Sequence, residues 1–388
     1  MIPVAEAQAR LLSLARTLGT ETVALADAAG RVLAEDAMAR RAQPPFSASA
    51  MDGYAVSGLS VGAEFTVIGE AAAGRRFNGT VGPGEAVRIF TGAPLPDGAD
   101  AVVIQEDVRR TGDRITVLET LGDGTNIRPK GCDFDENARV IAPARLGPHH
   151  LALLAAMNVP SVTVSRRPEV ALIATGDELV MPGEDPGEDQ IVASNIFGLK
   201  AMIEAEGGVA RMLPIARDTE AALSTVFDLA QGADLVVTIG GASVGDHDLV
   251  ASVAKERGVE MAFHKVAMRP GKPLMSGQMG DSLMLGLPGN PVSALVCGKL
   301  FLCPMIRAMQ GLPDPFPERR QATLATDLSA NGPREHYMRA RLDGARITAF
   351  DRQDSALLSV LADANALLVR PVSDPARKAG ETVQYIAL

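Results

Sequence analysis

Tryptophan is absent from the 388 residues, and all aromatics together make up only 4% of them. That shortage argues against base stacking as the main mode of recognition, since single-stranded nucleic acid needs aromatic platforms. Clustered basic residues are missing as well: the formal net charge is -10, and no segment supplies the Lys and Arg needed to neutralise a row of phosphates. Nucleic acid is therefore not expected as a partner, although a small anion remains compatible with locally concentrated positive charge. Cysteine is scarce. Cys132, Cys297 and Cys303 offer neither an even disulfide count nor a C-x-x-C pair, so they read as reduced, mostly buried thiols. The longest apolar runs break well before about 18 residues, and Met1 to Glu6 contains no basic segment leading into an apolar stretch. A cytoplasmic protein without membrane contact is the expectation.

What is present fits ordinary globular usage, with 47% apolar and 22% charged residues over a length that suggests roughly two or three domains. No repeat at solenoid period occurs. Leu11, Leu12, Leu14, Ala15 and Leu18 lie at helical spacing and predict a helix over residues 4–18, with Gly19 as its stop. A second helix is expected over 26–36, before the prolines of "RRAQPPFSASAMDGYAV" mark a boundary near Pro44. From there to about 140, short apolar runs alternate with Gly, Pro and Asp turns, which predicts a β-rich insertion. Residues 148–157 read again as a helix, returning the chain to its first unit. From Glu169 the pattern becomes strand, loop and long helix in repetition, which predicts a doubly wound, mostly parallel α/β sheet covered on both faces. Beyond "GLPDPFPERR" the alternation of His336 to Leu342 and Glu381 to Ile386 predicts a small all-β domain. The expected domains are 1–44 with 141–167, 45–140, 168–316 and 317–388.

Open α/β sheets bind ligands beyond the carboxyl ends of their strands. Five polar clusters follow five successive strands of this region: "TGDEL" (175–179), "ARDT" (216–219), "GGASVGDHD" (240–248), "MRPGKP" (268–273) and "GLPGNPVS" (286–293). All five are thus expected on one edge. Gly240 and Gly241 let backbone amides approach a ligand, and the helix that follows offers free N–H groups to a phosphate. Simple chain turning would also explain the glycines, and Asp248 reads equally as that helix's N-cap. Asp246 and Asp248 could alternatively hold Mg²⁺ against a phosphate; His247 reads as a surface residue. In "MRPGKP", Arg269 and Lys272 stand three apart on a loop stiffened by prolines, which suits an oxyanion and also suits a solvated basic loop. Pro288 and Pro291 restrict the last cluster, and Pro291 stands where a helix accepts proline at its first position. Asp52-Gly53 reads locally as a hairpin turn.

Two phosphate motifs are excluded. No G-x-x-x-x-G-K-[ST] occurs, because Pro273 follows the Gly and Lys of "RPGKP", and 240–245 does not fit G-x-G-x-x-G.

Taken together, "SAMDGYAV", "IFTGAPLPDGADAVV", "ATGDEL", "GGASVGDHD", "MRPGKP" and "GLPGNPVS" resemble, in order, the motifs of the molybdopterin molybdenumtransferases, the MoeA and gephyrin E-domain family. The resemblance implies a homodimer of four-domain chains: a split N-terminal unit, an inserted β-rich domain, a molybdopterin-binding α/β domain and a C-terminal β-barrel. It implies insertion of molybdate into adenylylated molybdopterin with release of AMP, dependence on Mg²⁺, and a molybdopterin adenylyltransferase as pathway partner. Carried over residue by residue, it assigns catalytic positions to Asp52, Thr91, Glu178, Asp218, Asp248 and Lys265, with Glu178, Asp218 and Asp248 as the Mg²⁺ ligands. It assigns substrate binding to Gly240, Gly241, Ser243, Gly245, Arg269, Lys272, Pro288, Pro291, Ser293, Arg339 and Ser355. Arg269 is a departure, since some members carry Lys there and a planar fork replaces a point charge. Rival readings are a gephyrin-like scaffold, a molybdopterin adenylyltransferase or a nicotinamide-mononucleotide amidase. Both of those enzymes resemble only residues 169–310, so "SAMDGYAV" and the terminal β domain argue against them, and no extended tail suggests a scaffold.

Overall fold

A computed structural model describes residues 1–118, 124–241 and 249–388. The chain forms two compact units, residues 22–29 with 35–163, and residues 1–21 with 30–34 and 164–388.

The first helix, α1 (Val4–Leu14), stops short of the expected Leu18. Its buried face, Val4, Ala7 and Leu11, enters the same core as the α/β sheet, whereas the sequence assigned it to a unit with 141–167. The second expected helix does not form. Residues 25–27 make one 3₁₀ turn, Gly30 takes a left-handed φ of 73°, and Val32–Leu33 become a short buried strand. A glycine in that conformation ends a helix, and two β-branched or bulky residues beyond it favour extended backbone.

The inserted unit is built on a six-stranded sheet of β1 (Gly53–Val56), β2 (Glu64–Ala71), β3 (Glu85–Ile89), β4 (Ala101–Ile104), β5 (Val108–Thr111) and β6 (Arg114–Val117). Their order across the sheet is β4-β1-β3-β2-β6-β5. Alternation works on both faces: Tyr54, Val56, Ala86 and Val103 share one buried cluster, while Ala55, Val87, Ile89 and Val102 share another. Helix α2 (Pro148–Ala156) begins with its proline at the first turn, where the missing N–H costs nothing.

In the other unit the sheet comprises β7 (Glu169–Ala174), β8 (Val209–Met212), β9 (Leu235–Ile239), β10 (Glu260–Phe263), β12 (Met275–Met279) and β13 (Ser282–Leu287), ordered β8-β7-β9-β13-β12-β10. The short strand β11 (Met268–Arg269) leaves it to join the terminal domain. Helices α3 (Asn195–Ala205), α4 (Glu220–Leu229) and α5 (Leu249–Glu256) alternate with the strands. On β7, Val170, Leu172 and Ala174 face the cluster containing α3, while Ala171 and Ile173 face that of α4 and α5. Burial on both sides is why these strands read as continuous apolar runs. Strand β12 departs from expectation: it runs antiparallel to β13 and so makes the sheet mixed. Its sequence, Met-Ser-Gly-Gln-Met, lacks apolar alternation.

The last helical stretch runs 19 residues from Pro291 to Met309 as α6 (Pro291–Cys297), a π-turn segment (Gly298–Leu302) and α7 (Cys303–Met309). It is long and apolar enough to cross a membrane, yet 78% of it is buried inside the fold, as expected of a helix that is apolar all round. Cys297 and Cys303 are buried here and Cys132 is exposed, in line with thiols expected to be mostly buried.

The terminal strands β14 (Arg320–Leu324), β15 (Glu335–Asp343), β16 (Arg346–Ala349), β17 (Ala366–Arg370) and β18 (Thr382–Ala387) are interrupted by α8 (Leu358–Asp363). The pairing of β15 with β17 closes them into a five-stranded barrel around Leu324, Ala340, Ile347 and Leu368.

Candidate functional site

The ladder of the α/β sheet continues past the carboxyl ends of its strands and ties the expected clusters together. Thr175 N–H donates to Ile239 O at 3.0 Å, Gly176 N–H to Ala216 O at 3.1 Å, and Gly240 N–H to Leu287 O at 3.1 Å. "TGDEL", "ARDT", the first glycines of "GGASVGDHD" and "GLPGN" therefore share one rim. The fifth cluster belongs there too, because β12 begins opposite Gly286 at the end of β13. Gly240 has a φ of 94°, and a Cβ there would stand 2.8 Å from Thr175 O. Only glycine permits that approach. Ser243, Gly245, Asp246, His247 and Asp248 lie outside the described residues.

At one end of the rim are carboxylates. Asp177 and Glu178 are exposed on the loop after β7, and Asp218 N–H donates to Asp177 Oδ1 at 3.1 Å. Arg217 clamps the same loop by donating Nη1 to Asp177 O at 2.7 Å and Leu179 O at 3.3 Å. Partial burial, followed by the charges of Asp177 and Glu178, pushes the Asp218 carboxyl above its usual range. Asp177 and Arg217 were not singled out in the sequence; Asp177 was legible as the neighbour of Glu178, while the role of Arg217 emerges only from the fold.

At the other end are cations. The loop carrying Lys265 and Lys272 is cinched by Lys272 O, which accepts from Val266 and Leu274 N–H at 3.1 Å each. Lys272 and Arg269 are exposed, and Lys265 is half-buried. Strand β11 pairs in parallel with β15, setting Arg269 opposite His336. On β15, Arg339 is fully buried. Its Nη2 donates to Arg352 O at 3.2 Å and Asp354 O at 3.0 Å, while Gln353 clamps its backbone from both sides at 3.0 and 2.9 Å. Among the described residues, Nε and Nη1 of Arg339 have no hydrogen-bond partner. Burial lowers the proton affinity of this guanidinium, Asp354 opposes that, and Arg269 adds to it.

Between the two ends lies the start of α6. Pro288 and Ser293 are buried, and Pro291 is half-buried at the first helical position. Asn290 at the N-cap gives its side chain not to its own helix but to Ser355 Oγ, at 3.0 Å. Ser355 O in turn accepts the N–H of Val292 at 3.0 Å, so a barrel loop satisfies one of the helix's open donors. Ser355 is thereby placed at the α6 N-terminus, with Asn290 as a partner the sequence reading missed.

Strand order converts this into a length. From β7, which carries Glu178, to β12, which follows Lys272, there are three strand intervals, or roughly 14 Å at the usual spacing. No single small ion spans that; an elongated ligand with anionic groups at separated points does. A mostly apolar cavity of ≈ 330 Å³, lined by Met202, Glu206, Leu295, Lys299, Cys303 and Leu361, includes none of these residues.

In the inserted unit, Asp52 Oδ1 accepts from Thr91 N–H at 2.7 Å and from Thr91 Oγ1 at 2.8 Å. Those two bonds, the backbone one foremost, hold the exposed Asp52 carboxyl below its usual range. Gly53 is not half of a hairpin turn. It opens β1 between β3 and β4, where a Cβ would stand 2.0 Å from Val103 O. Arg88 supports the pair by donating to Gly53 O at 2.8 Å and to Gln105 Oε1 at 2.7 Å while its guanidinium stacks 4.6 Å from the Phe90 ring. Asp52→Ala is expected to free Thr91 and lower turnover by on the order of 10²-fold with an unchanged thermal midpoint. Steady-state rates beside a melting curve check it, and a normal rate would show the pair to be structural only.

Comparison with known proteins adds three matched regions. Residues 2–158 match the MoeA N-terminal region (domain I and II), 171–308 a probable molybdopterin binding domain, and 321–388 the MoeA C-terminal region (domain IV). A molybdopterin molybdenumtransferase of Nostoc sp. is 35% identical over 95% of this chain and 89% of its own length. One from Staphylococcus aureus is 33% identical over 99% of this chain and 95% of its own. A crystal structure of the molybdopterin biosynthesis MoeA protein from Pyrococcus horikoshii is 30% identical with a TM-score of 0.84, covering 100% of this chain and 99% of that one.

Proposed function

The chain belongs to the molybdopterin molybdenumtransferase family, and from that premise we propose that it inserts molybdate into adenylylated molybdopterin and releases AMP, the final step in assembling the molybdenum cofactor. The observation that carries this reading is the polarity of the rim: carboxylates at one end, cations including a guanidinium with two open nitrogens at the other, and roughly 14 Å between them. That pattern suits an extended phosphorylated ligand at the middle and an oxyanion at the cationic end.

The division of labour follows from the chemistry of each group. Gly241 is assigned to the phosphates, with Ser243 and Gly245 given the same task, while Gly240, whose N–H is held by Leu287 O, sets the close approach of the chain. Lys272, Arg269, Arg339 and Ser355 hold the molybdate, and Pro288, Pro291 and Ser293 shape the floor between the two substrates. Lys265 contributes positive charge on the cinched loop, and Asp52 with Thr91 keep the catalytic assignment that the family resemblance gives them. Arg339, buried and held by Gln353 and by its own Nη2 bonds, orients the oxyanion without solvent reorganisation, while Lys272 adds charge from a loop whose backbone is pinned.

Glu178 and Asp218, with Asp248, are the proposed holders of Mg²⁺. The donors fit a hard cation: they are carboxylate oxygens, and Asp218 carries a burial and repulsion penalty that a cation relieves. Among the described residues, which do not include Asp248, no group of three such side chains is placed to hold a metal alone, and water and phosphate would complete the shell. When bound, the ion supplies Lewis-acid polarisation of the phosphoanhydride. A homodimer acting in the cytoplasm, next in line to a molybdopterin adenylyltransferase, completes the proposal.

The test supplies adenylylated molybdopterin, molybdate and Mg²⁺ and follows AMP and active cofactor together. Each product is expected to require all three additions; AMP release independent of molybdate would refute the coupling. Asp218→Asn is expected to raise the Mg²⁺ concentration for half-maximal rate by about tenfold or more, as loss of a metal-site contact does. Protons compete with the ion for a carboxyl whose proton affinity is raised. The Mg²⁺ requirement of the unmodified enzyme therefore increases as pH falls, and that of Asp218→Asn increases less.

A further inference from the structure

Asn290 stands at a position with an ordinary duty that it does not perform. It is the N-cap of α6, where an asparagine side chain normally accepts an N–H from the first turn of its own helix. Here it makes no such bond. The open donor of Val292 is taken instead by Ser355 O at 3.0 Å, a main-chain oxygen of the barrel loop. The Asn290 amide is thereby released from capping, and its Nδ2 donates to Ser355 Oγ at 3.0 Å. Ser355 thus receives two bonds from one helix end, one on its main chain and one on its hydroxyl.

The loop that carries Ser355 is held from its other side as well. Arg339 Nη2 donates to Asp354 O at 3.0 Å, and Asp354 Oδ1 accepts the N–H of Ala356 at 2.8 Å. Asn290 is anchored through its neighbours: Asn195 Nδ2 donates to Gly289 O at 2.6 Å, and Pro291 has a fixed φ. Residues 354–356 are consequently clamped between the guanidinium assigned to molybdate and the N-terminus of α6. Such bracing leaves the Ser355 side chain one main freedom, the rotation of its hydroxyl.

The Asn290 bond sets that rotation. A serine hydroxyl has one O–H to donate and two lone pairs with which to accept. One lone pair takes the amide proton, and among the described residues Ser355 Oγ donates to no group. A donor on the oxygen also strengthens the bond that the same oxygen gives. Molybdate presents only acceptors, so the group it needs from Ser355 is a proton pointed outward, and an anionic acceptor makes that bond a strong one.

We propose that Asn290 is a positioning residue of the oxyanion site, whose amide donates to Ser355 Oγ and so directs the Ser355 hydroxyl proton to a molybdate oxygen. The proposal rests on the placement of molybdate at Ser355 and Arg339. No proton is transferred and no bond to molybdenum changes; Ser355 keeps its O–H and supplies it as a donor.

The experiment is calorimetric titration of the full chain with sodium molybdate, beside a melting curve for each variant. Asn290→Ala is expected to raise the Kd for molybdate about fivefold with an unchanged midpoint, because the amide caps nothing in α6. In a Ser355→Ala background the same substitution is expected to add no further weakening, since no hydroxyl is left to orient. Asn290→Asp separates this role from capping. Asparagine and aspartate are equivalent N-caps, so a capping role predicts no change. A carboxylate has no proton to give and claims that of Ser355, so a Kd raised about tenfold or more is expected.

An Asn290→Asp protein that binds molybdate as tightly as the unmodified one overturns the proposal. So does equal weakening by Asn290→Ala in both backgrounds, or a lowered midpoint in Asn290→Ala with unchanged affinity, which would make Asn290 a cap. Those outcomes leave the oxyanion site standing. Unchanged affinity in Ser355→Ala overturns the assignment of Ser355 and this inference with it, and absence of molybdate binding to the unmodified protein overturns the site itself.

Discussion

Arg339→Met is expected to reduce molybdate-dependent AMP release by on the order of 10²- to 10³-fold, the usual loss when one fixed donor to a developing or bound oxyanion is removed. The argument begins with burial. The guanidinium lies in a fully buried residue, yet spends only Nη2 on the backbone carbonyls of Arg352 and Asp354 and leaves Nε and Nη1 open. Leaving such donors without a partner is costly, and they are retained where a ligand completes them. Methionine fills a similar volume without charge. Methionine removes the desolvation penalty of a buried charge but leaves the Arg352 and Asp354 carbonyls without that donor, so a modest fall in thermal midpoint should accompany a collapse of activity. Arg339→Lys should rescue little, because a point charge cannot reproduce two donors in a planar fork. Lys272→Ala should show the same split, with an intact fold and lost molybdate use. A variant at either position that consumes molybdate at the normal rate would remove the oxyanion assignment.

The second large effect is expected at Gly240. Its φ of 94° is a region that side-chain-bearing residues rarely enter, and a Cβ would stand 2.8 Å from Thr175 O and 3.0 Å from Thr175 Oγ1. Gly240→Ala therefore combines backbone strain of about 1–3 kcal/mol with a collision against main chain that cannot rotate away. Relief requires Thr175 and Gly240 to separate, which breaks the Gly240 to Leu287 bond and spreads the rim. Both a lower melting temperature and loss of activity are expected. Gly232 provides the control: its φ is 82°, but a Cβ there meets nothing within 4 Å. Gly232→Ala should cost only the strain and leave activity intact. If the two variants behave alike in thermal melts and AMP release, close approach at the rim is not what Gly240 serves.

Strands β7 and β9 were legible because both of their faces are buried, and a run such as Leu235 to Ile239, four apolar residues and the β-branched Thr238, leaves little else to form. Strand β12 was not. Its polar, glycine-containing sequence is accepted because Gly277 passes so close to Glu260 O that a Cβ would stand 2.6 Å away, a demand set by a neighbouring strand. The helix expected over 26–36 failed for a related reason: its apolar spacing was real, but Val32 and Leu33 are buried as extended chain.

The site divides along the same line. Short motifs named Asp52, Thr91, Glu178, Asp218, Gly240 and Lys272, since each depends on a few covalent neighbours that turn, stiffen or charge a loop. Which residues would pair across the chain was not written in any motif. Asp52 meets Thr91 across 39 positions, and Asn290 meets Ser355 across 65.

What the chain order alone determined is therefore local: where the backbone turns, which segments must be buried, and which loops carry charge. Tertiary structure decided which polar atoms lose water and which of them stay unpaired, at Arg339 and His336 above all. The physical reason is range. Periodicity and φ preferences arise within a few bonds, whereas desolvation is imposed by atoms that the fold brings in from hundreds of residues away.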